Sequence, residues 1–118
     1  MTSDCPFCAR IAAGDYGTCD MFSVSFEPLN PVTEGHLLVV PRLHFPDAGS
    51  NPLHAGRAME LAATIAALDS LDSYNLITSA GSAATQTVRH LHLHLVPRRP
   101  GDGLALPWTG QQQRKATP

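Results

Sequence analysis

The stretch RHLHLHLVP at residues 89–97 alternates three histidines with three leucines. Successive side chains of a β-strand point to opposite faces. This alternation therefore predicts a strand with its histidines on one face and its leucines on the other. The leucine face needs an apolar core beneath it. Histidine is an uncommon residue, and half of the chain's 6 histidines lie in this stretch. A functional histidine face is thus favoured over the accidental polar face of an edge strand.

Strand geometry limits how these histidines can act together. Same-face residues two apart lie about 6.6 Å from each other, and residues four apart lie about 13 Å from each other. Zinc binds an imidazole nitrogen at about 2.0–2.1 Å, so three rings on a regular strand could share one ion only with strain. At least one of His90, His92 and His94 is therefore free for nucleophilic or general acid–base catalysis.

The composition indicates one ordinary globular domain. The chain has 118 residues, of which 43% are hydrophobic and 15% charged, enough for a modest core. A net charge of -2 without a basic block argues against a nucleic-acid polymer as partner, but not against a small nucleotide. No apolar run approaches the roughly 20 residues of a membrane span. The N-terminus lacks a signal-peptide pattern, so we expect a cytoplasmic protein without a membrane partner.

Cys5 and Cys8 form a C-x-x-C motif at the start of the chain. Such a pair is either half of a tetrahedral zinc site or a redox pair. Redox pairs usually follow a strand, whereas this pair opens the chain, which favours zinc. The plainer alternative is two small apolar side chains packed at a helix start. Cys19 has no partner motif, and we expect it to be a buried residue without a chemical role.

Two helices and several short strands are predicted. Proline near the start and glycine after the end predict a short helix over Pro6–Ala13. Pro52 starts the one long helix, with Asn51 as its N-cap and an apolar stripe at spacings of three and four. Strands are predicted at residues 21–26, 37–40 and 74–78 and in the histidine stretch.

This order of elements predicts an α+β domain with an antiparallel sheet that has the long helix on one face. We expect a single domain over residues 1–109. Residues 110–118 are polar and are predicted to form a flexible C-terminal tail.

Two longer motifs resemble the signatures of the histidine triad (HIT) superfamily. QTVRHLHLHLV at residues 86–96 resembles Q-[ST]-V-x-H-φ-H-φ-H-φ-φ, where φ is apolar. NPVTEGHLLVVPRLH at residues 30–44 resembles N-P-x-x-x-G-H-x-L-V-[IV]-P-[KR]-x-H. A C-x-x-C recurs in many bacterial members, and the three motifs occur here in the family's order. The resemblance implies the HIT-like α+β fold: an antiparallel sheet of about five strands, one long helix and a short N-terminal helix.

The same resemblance implies a nucleotide hydrolase or transferase. Members of the family act on the α-phosphate of phosphoramidates, dinucleoside polyphosphates and related nucleotides. His92 matches the family nucleophile, which forms a covalent nucleotidyl-histidine. His94 would hydrogen-bond the phosphate or the leaving group, and His36 matches a fourth histidine beside the triad. A neutral imidazole near pH 7 suits this chemistry.

A second set of matches concerns nucleotide binding. The expected nucleotide-binding and phosphate-binding residues are Phe26, Glu27, Leu29, Ser79, Gln86 and Thr87. Three positions depart from the family pattern. Pro28 replaces a ribose-binding Asp, so Glu27 or apolar contacts would serve instead. Ser79 replaces a longer Asn or Gln, and Thr85 replaces a glycine before the phosphate loop. These departures bear on the substrate and leave the nucleophile intact.

The resemblance also implies a structural Zn2+ ion. The implied ligands are Cys5, Cys8, His44 and His90. Four protein ligands close the coordination sphere, so the ion would be structural rather than catalytic. Relatives are commonly homodimers, and the segment Leu104 to Trp108 would then reach the partner's site. His54 matches no motif and is expected at the surface.

Two other functional classes stay open at this point. One is a metalloenzyme that holds a catalytic ion between two of the strand histidines. The other is a non-catalytic nucleotide-binding module that kept the fold. The presence of both His92 and His94 argues against the second, because a binding module needs no nucleophile.

Overall fold

The computed structural model describes residues 4–109. In chain order, the elements are helix α1 (Pro6–Ala12), strands β1 (Ser23–Phe26) and β2 (Leu37–Pro41), helix α2 (Pro52–Leu68), and strands β3 (Tyr74–Ile77) and β4 (Leu93–Pro97). Short 3-10 turns lie at Ala48–Ser50 and Ser82–Ala84. The predicted tail at residues 110–118 lies outside the described residues.

The strands form one antiparallel sheet in the order β1-β2-β4-β3. The α+β architecture with two helices is confirmed. The expectation of about five strands is not, since the described part of the chain contains four. Before β1, Cys19 makes only an isolated bridge with Val24. Asp20 Oδ1 accepts the backbone N–H groups of Phe22 and Ser23 at 2.8 Å, which turns the chain there and prevents a longer pairing.

Helix α2 forms where the sequence predicts it. Asn51 Oδ1 accepts the backbone N–H of His54 at 3.1 Å, and Pro52 occupies the first helical position. The buried face of the helix packs on the sheet, and three of its five buried residues are alanines. The buried residues are Ala58, Leu61, Ala62, Ile65 and Ala66. Because alanine is small, the helix axis can lie close to the sheet.

The alternation in the histidine stretch is confirmed. Leu91, Leu93 and Leu95 are at most 2% exposed and belong to the core beneath α2. Regular pairing begins only at Leu93, so β4 is shorter than the predicted strand. The N–H of Leu91 donates to Phe45 O at 2.6 Å instead of joining the ladder with β2. His90 and His92 therefore lie just before the strand, on either side of a residue whose backbone is hydrogen-bonded to Phe45.

Two side-chain predictions are wrong. Cys19 is exposed rather than buried, because it lies in the turn region that precedes β1. His54 is half-buried rather than at the surface: its ring packs against Phe22 and Phe45, with centroid distances of 6.1 and 4.8 Å. Within residues 4–109, no helix has the length and apolar character that crossing a bilayer requires.

Candidate active site and metal site

The N-terminal helix and the histidine stretch meet at a cluster of four metal-ligand side chains. The cluster consists of Cys5, Cys8, His44 and His90, whose ligand atoms all lie within 4.8 Å of one another. Cys5 Sγ lies 3.4 Å and His44 Nδ1 lies 3.1 Å from His90 Nδ1. Ligand atoms around a tetrahedral ion are expected at roughly 3.3–3.8 Å from each other. The four residues could therefore hold a metal ion.

Local structure prepares these side chains for that role. His90 Nε2 lies 2.9 Å from the carbonyl oxygen of Pro41. A carbonyl only accepts hydrogen bonds, so Nε2 carries the proton and the lone pair of Nδ1 faces the cluster. Cys5 is the N-cap of α1, and Pro6 follows it in the first turn. The cluster thus ties α1 to the end of β2 and to the histidine stretch.

His92 is held in one tautomer by the same backbone segment. Its Nδ1 lies 2.7 Å from the carbonyl oxygen of His90, so Nδ1 donates a proton and Nε2 keeps a free lone pair. The ring is buried and packs edge-on against Phe7 and His94, with centroid distances of 5.1 and 5.2 Å. Burial lowers the pKa of His92, although its hydrogen bond to His90 works against that effect. A neutral, oriented imidazole is the form that a nucleophile needs.

Hydrogen bonds also set the proton positions on the other two histidines of this face. The N–H of Val32 donates to His36 Nδ1 at 3.1 Å, so the proton of neutral His36 is on Nε2. His36 Nε2 lies 2.9 Å from His94 Nδ1 and donates to it. The proton of neutral His94 is therefore on its Nε2. The face presents a lone pair on His92 and an N–H group on His94.

Burial is the main reason that these rings stay neutral. It lowers the pKa of His36. It also lowers the pKa of His94 to about 4, with smaller contributions from the neighbouring His92 and His36. The His36–His94 hydrogen bond requires an unprotonated His94 Nδ1, so the arrangement persists at neutral pH.

Gln86 braces the loop between β3 and the histidine stretch. Its Oε1 accepts the N–H of Gly81 at 2.9 Å, and its Nε2 donates to the carbonyl groups of Pro46 and Val88 at 2.6 and 3.1 Å. Both the oxygen and the nitrogen of its side-chain amide thus form hydrogen bonds with backbone groups. These contacts stabilise a loop in which Thr85, a non-glycine residue, adopts a left-handed φ angle of 67°.

The structure distributes the expected nucleotide-binding residues over several places. Phe26 is buried on β1, whereas Glu27 and Leu29 lie on the exposed segment that follows it. Ser79 shares a cavity wall with His36 and His94. Thr87 is exposed and lies instead in a depression on the metal-cluster side, next to Cys5 and His44. Their roles in binding stay predictions.

Three residues at this site were missed by the sequence reasoning. Thr78 Oγ1 donates to the carbonyl oxygen of His92 at 2.7 Å and so fixes the backbone that carries the candidate nucleophile. Phe7 contacts both His90 and His92. Arg98 lies in the cavity wall beside His94. No spacing signal marks them, because each acts through a contact that forms only in the folded chain.

A family model for the HIT domain matches residues 20–101. The chain belongs to the HIT family. His90, His92 and His94 are the residues that match the histidine motif of the family. His90 belongs to the cluster of metal-ligand side chains, whereas His92 and His94 lie outside it.

Relatives of known name fit this placement. Adenylylsulfatase HINT3 from Arabidopsis thaliana is 29% identical over 124 residues, which cover 98% of this HIT chain and 61% of the relative. Adenosine 5′-monophosphoramidase HNT1 from Saccharomyces cerevisiae is 34% identical over 93 residues, 77% of this chain and 59% of the relative. The chain thus spans about three fifths of the length of these two relatives.

A solved HIT structure supports the same fold. A zinc-bound histidine triad family protein from Mycobacterium smegmatis has 34% sequence identity and a TM-score of 0.77. The match covers 87% of this chain and 81% of that one.

Acid is expected to destabilise the fold, because the half-buried ring of His94 resists a proton that the unfolded chain accepts. The pKa of His94 is about 4, against an ordinary value of 6.5. Between these values the unfolded chain binds a proton that the folded chain excludes, so the free energy of unfolding falls as pH decreases through this window. Urea unfolding of the wild-type protein and a His94→Gln variant at several pH values tests this. The variant should show the smaller pH dependence, and equal dependence in the two proteins would contradict it.

Proposed function

We propose that this HIT chain is a nucleotide hydrolase or transferase that acts at an α-phosphate through a covalent nucleotidyl-histidine on His92. The observation that carries the proposal is the pair of neighbouring rings, 5.2 Å apart between centroids, in which His92 keeps a free Nε2 lone pair and His94 carries an Nε2–H. One nitrogen can attack phosphorus while the other N–H hydrogen-bonds the atom that leaves. The names of the plant and yeast relatives support a nucleotide phosphoramidate or a nucleotide anhydride as substrate.

The reaction would proceed in two displacement steps. His92 Nε2 bonds to the α-phosphorus as the bond to the leaving atom breaks. The leaving group takes that electron pair and, where it is an amine, also takes up a proton from solvent. The Nδ1–H of His92 stays hydrogen-bonded to the carbonyl group of His90, which stabilises the positive charge on the ring. Water, or another acceptor, then attacks phosphorus and loses a proton to solvent, and the electron pair of the broken phosphorus–nitrogen bond returns to Nε2.

The cluster formed by Cys5, Cys8, His44 and His90 is proposed to hold a structural zinc ion. Thiolate and imidazole donors select zinc over magnesium or calcium. Four protein ligands leave no coordination position for substrate. This donor set therefore argues against the alternative of a metalloenzyme with a catalytic ion.

An AMP-release assay tests the proposed function. The purified protein is incubated with adenosine 5′-phosphoramidate, adenosine 5′-phosphosulfate and a dinucleoside polyphosphate, and AMP is quantified by chromatography. We expect release of AMP from at least the phosphoramidate. No release from any of the three would refute the proposal in favour of a non-catalytic nucleotide-binding module.

We also propose a symmetric homodimer that forms mainly through the sheet edges and the long helix α2. Of the two edge strands, β1 is buried along its whole length, whereas β3 exposes Tyr74 and Ile77 by 40% and 38%. An open apolar edge favours pairing with a second copy. Light scattering at micromolar concentration should give about twice the chain mass for the wild-type protein. An Ile77→Lys variant should shift toward the monomer, and a monomeric wild type would contradict the prediction.

A further inference from the structure

The candidate nucleophile His92 lies just beyond the end of a β-ladder. Strands β3 and β4 pair in one antiparallel register, and the last pair is Ile77 with His94. The same register, continued by two residues, would place Ser79 opposite His92. Both residues lie outside the strands, which end at Ile77 and begin at Leu93. The backbone of His92 therefore lies at a position where the ladder with β3 has already ended.

A side-chain hydroxyl group acts on His92 at this position. The N–H of Arg98 donates to the carbonyl oxygen of Ser73 at 2.8 Å, and hydrogen-bonded pairs recur at every second position of an antiparallel ladder. A continued ladder would thus bond the carbonyl group of His92 to the N–H of Ser79. In the structure, Thr78 Oγ1 donates to that carbonyl oxygen, at 2.7 Å. The hydroxyl group of Thr78 thus substitutes for a backbone donor at the end of β3.

The contact with Thr78 completes a set of restraints on the segment that carries the ring. The ring of His92 is held by the 2.7 Å contact between its Nδ1 and the carbonyl oxygen of His90. The N–H of Leu91 donates to Phe45 O at 2.6 Å. Thr78 then fixes the peptide group that follows the ring. Of these three restraints, the one from Thr78 can be removed by changing a side chain other than that of His92.

We propose that Thr78 is a positioning residue for the attack of His92 on phosphorus. The inference rests on the proposed function, in which the Nε2 lone pair of His92 is the nucleophile. The rate of attack depends on where that lone pair lies, and a misplacement of about 1 Å can lower it about a hundredfold. By fixing the carbonyl group of His92, the hydroxyl group of Thr78 fixes the backbone from which the ring is presented.

Valine at position 78 removes the hydroxyl group and nearly keeps the shape of the side chain. Thr78 is exposed, so the added methyl group does not overfill a core. A carbon atom approaches a carbonyl oxygen only to about 3.3–3.6 Å, whereas the hydroxyl oxygen of Thr78 lies at 2.7 Å. The carbonyl group of His92 would therefore move away by roughly 0.6 Å or more. This displacement is large enough to disturb the attack.

A single-turnover experiment measures the attack separately from binding. Excess protein is mixed with adenosine 5′-phosphoramidate, and loss of the substrate is followed by rapid quench at several protein concentrations. Thr78→Val should lower the rate constant at saturating protein by at least about tenfold. The protein concentration that gives half of this rate should change by less than about threefold, because Thr78 acts through His92 and not on the substrate. Thr78→Ser, which keeps the hydroxyl group, should stay within about threefold of the wild-type rate constant.

Thr64→Val is the matched control for the loss of the hydroxyl group. Thr64 is exposed on α2, and its Oγ1 donates to the carbonyl oxygen of Glu60 at the same distance, 2.7 Å. This variant loses the same kind of hydrogen bond on the helix that covers the leucine face, and should keep the wild-type rate constant. Thermal unfolding and light scattering check that each variant is folded and has the wild-type mass. Thr78→Ala takes the place of Thr78→Val if the valine variant fails to fold.

The outcomes separate this inference from the function on which it rests. The inference is overturned if folded Thr78→Val keeps the wild-type rate constant, if only its half-maximal concentration changes, or if Thr78→Ser is slowed equally. Failure of both Thr78→Val and Thr78→Ala to fold would show a structural role alone and would also overturn it. The proposed hydrolase survives each of these results. If the wild-type protein does not cleave the phosphoramidate, the proposed function is refuted and the inference with it.

Discussion

The His92→Ala protein is expected to lose turnover of adenosine 5′-phosphoramidate by at least about ten-thousand-fold. His92 supplies the lone pair that attacks phosphorus, and its tautomer is set by the 2.7 Å contact with the carbonyl oxygen of His90. Alanine removes both the nucleophile and the ring that takes up positive charge. Binding of AMP should be nearly retained, because the proposed zinc ligand is His90 rather than His92.

The covalent intermediate can be observed directly. The wild-type protein is mixed with substrate, quenched in mild base to preserve the phosphorus–nitrogen bond, and digested for mass spectrometry. An AMP adduct should appear on the peptide that contains His92. His54→Ala is the matched control, because that ring packs between two phenylalanines away from the histidine face and should keep adduct and turnover. Full activity of His92→Ala, or an adduct found only elsewhere, would refute the mechanism.

The alternation of histidine and leucine was enough to predict the two faces of the histidine stretch. Strand periodicity is a local property, and burial of the leucines beneath α2 follows from it. The same geometry predicted that one ion would not take all three histidines. In the structure His90 belongs to the cluster of metal-ligand side chains, whereas His92 and His94 lie outside it.

The proton positions on the rings could not be predicted from the sequence. They depend on the carbonyl group of His90 and on the N–H of Val32, and backbone groups have no sequence signature. The hydrogen bonds of Gln86 could not be predicted for the same reason, since its three partners are backbone groups and one of them, Pro46 O, is 40 residues away. The exposure of Cys19 depends on the turn made by Asp20, which the alternating pattern at residues 21–26 did not reveal.

Loss of the metal is the second change for which we expect a large effect. Protein purified without chelator should contain about one zinc ion per chain, and Cys8→Ser should contain almost none. Because the cluster joins α1 to the histidine stretch, its loss should lower the free energy of unfolding by about 3–5 kcal/mol. For a domain of this size that corresponds to a decrease in Tm of roughly 12–20 °C. Metal analysis and thermal unfolding measure both effects.

Cys19→Ser is the matched control for the metal site, because Cys19 is exposed and lies outside the cluster. It should retain one zinc ion and the wild-type Tm. Turnover should also fall in Cys8→Ser, although none of the four proposed ligands is expected to contact substrate. The carbonyl group of His90 orients His92, so movement of His90 disturbs the nucleophile. A wild-type protein without zinc and with Cys5 and Cys8 joined in a disulfide would contradict the structural site. Cys8→Ser with unchanged zinc content and Tm would contradict it equally.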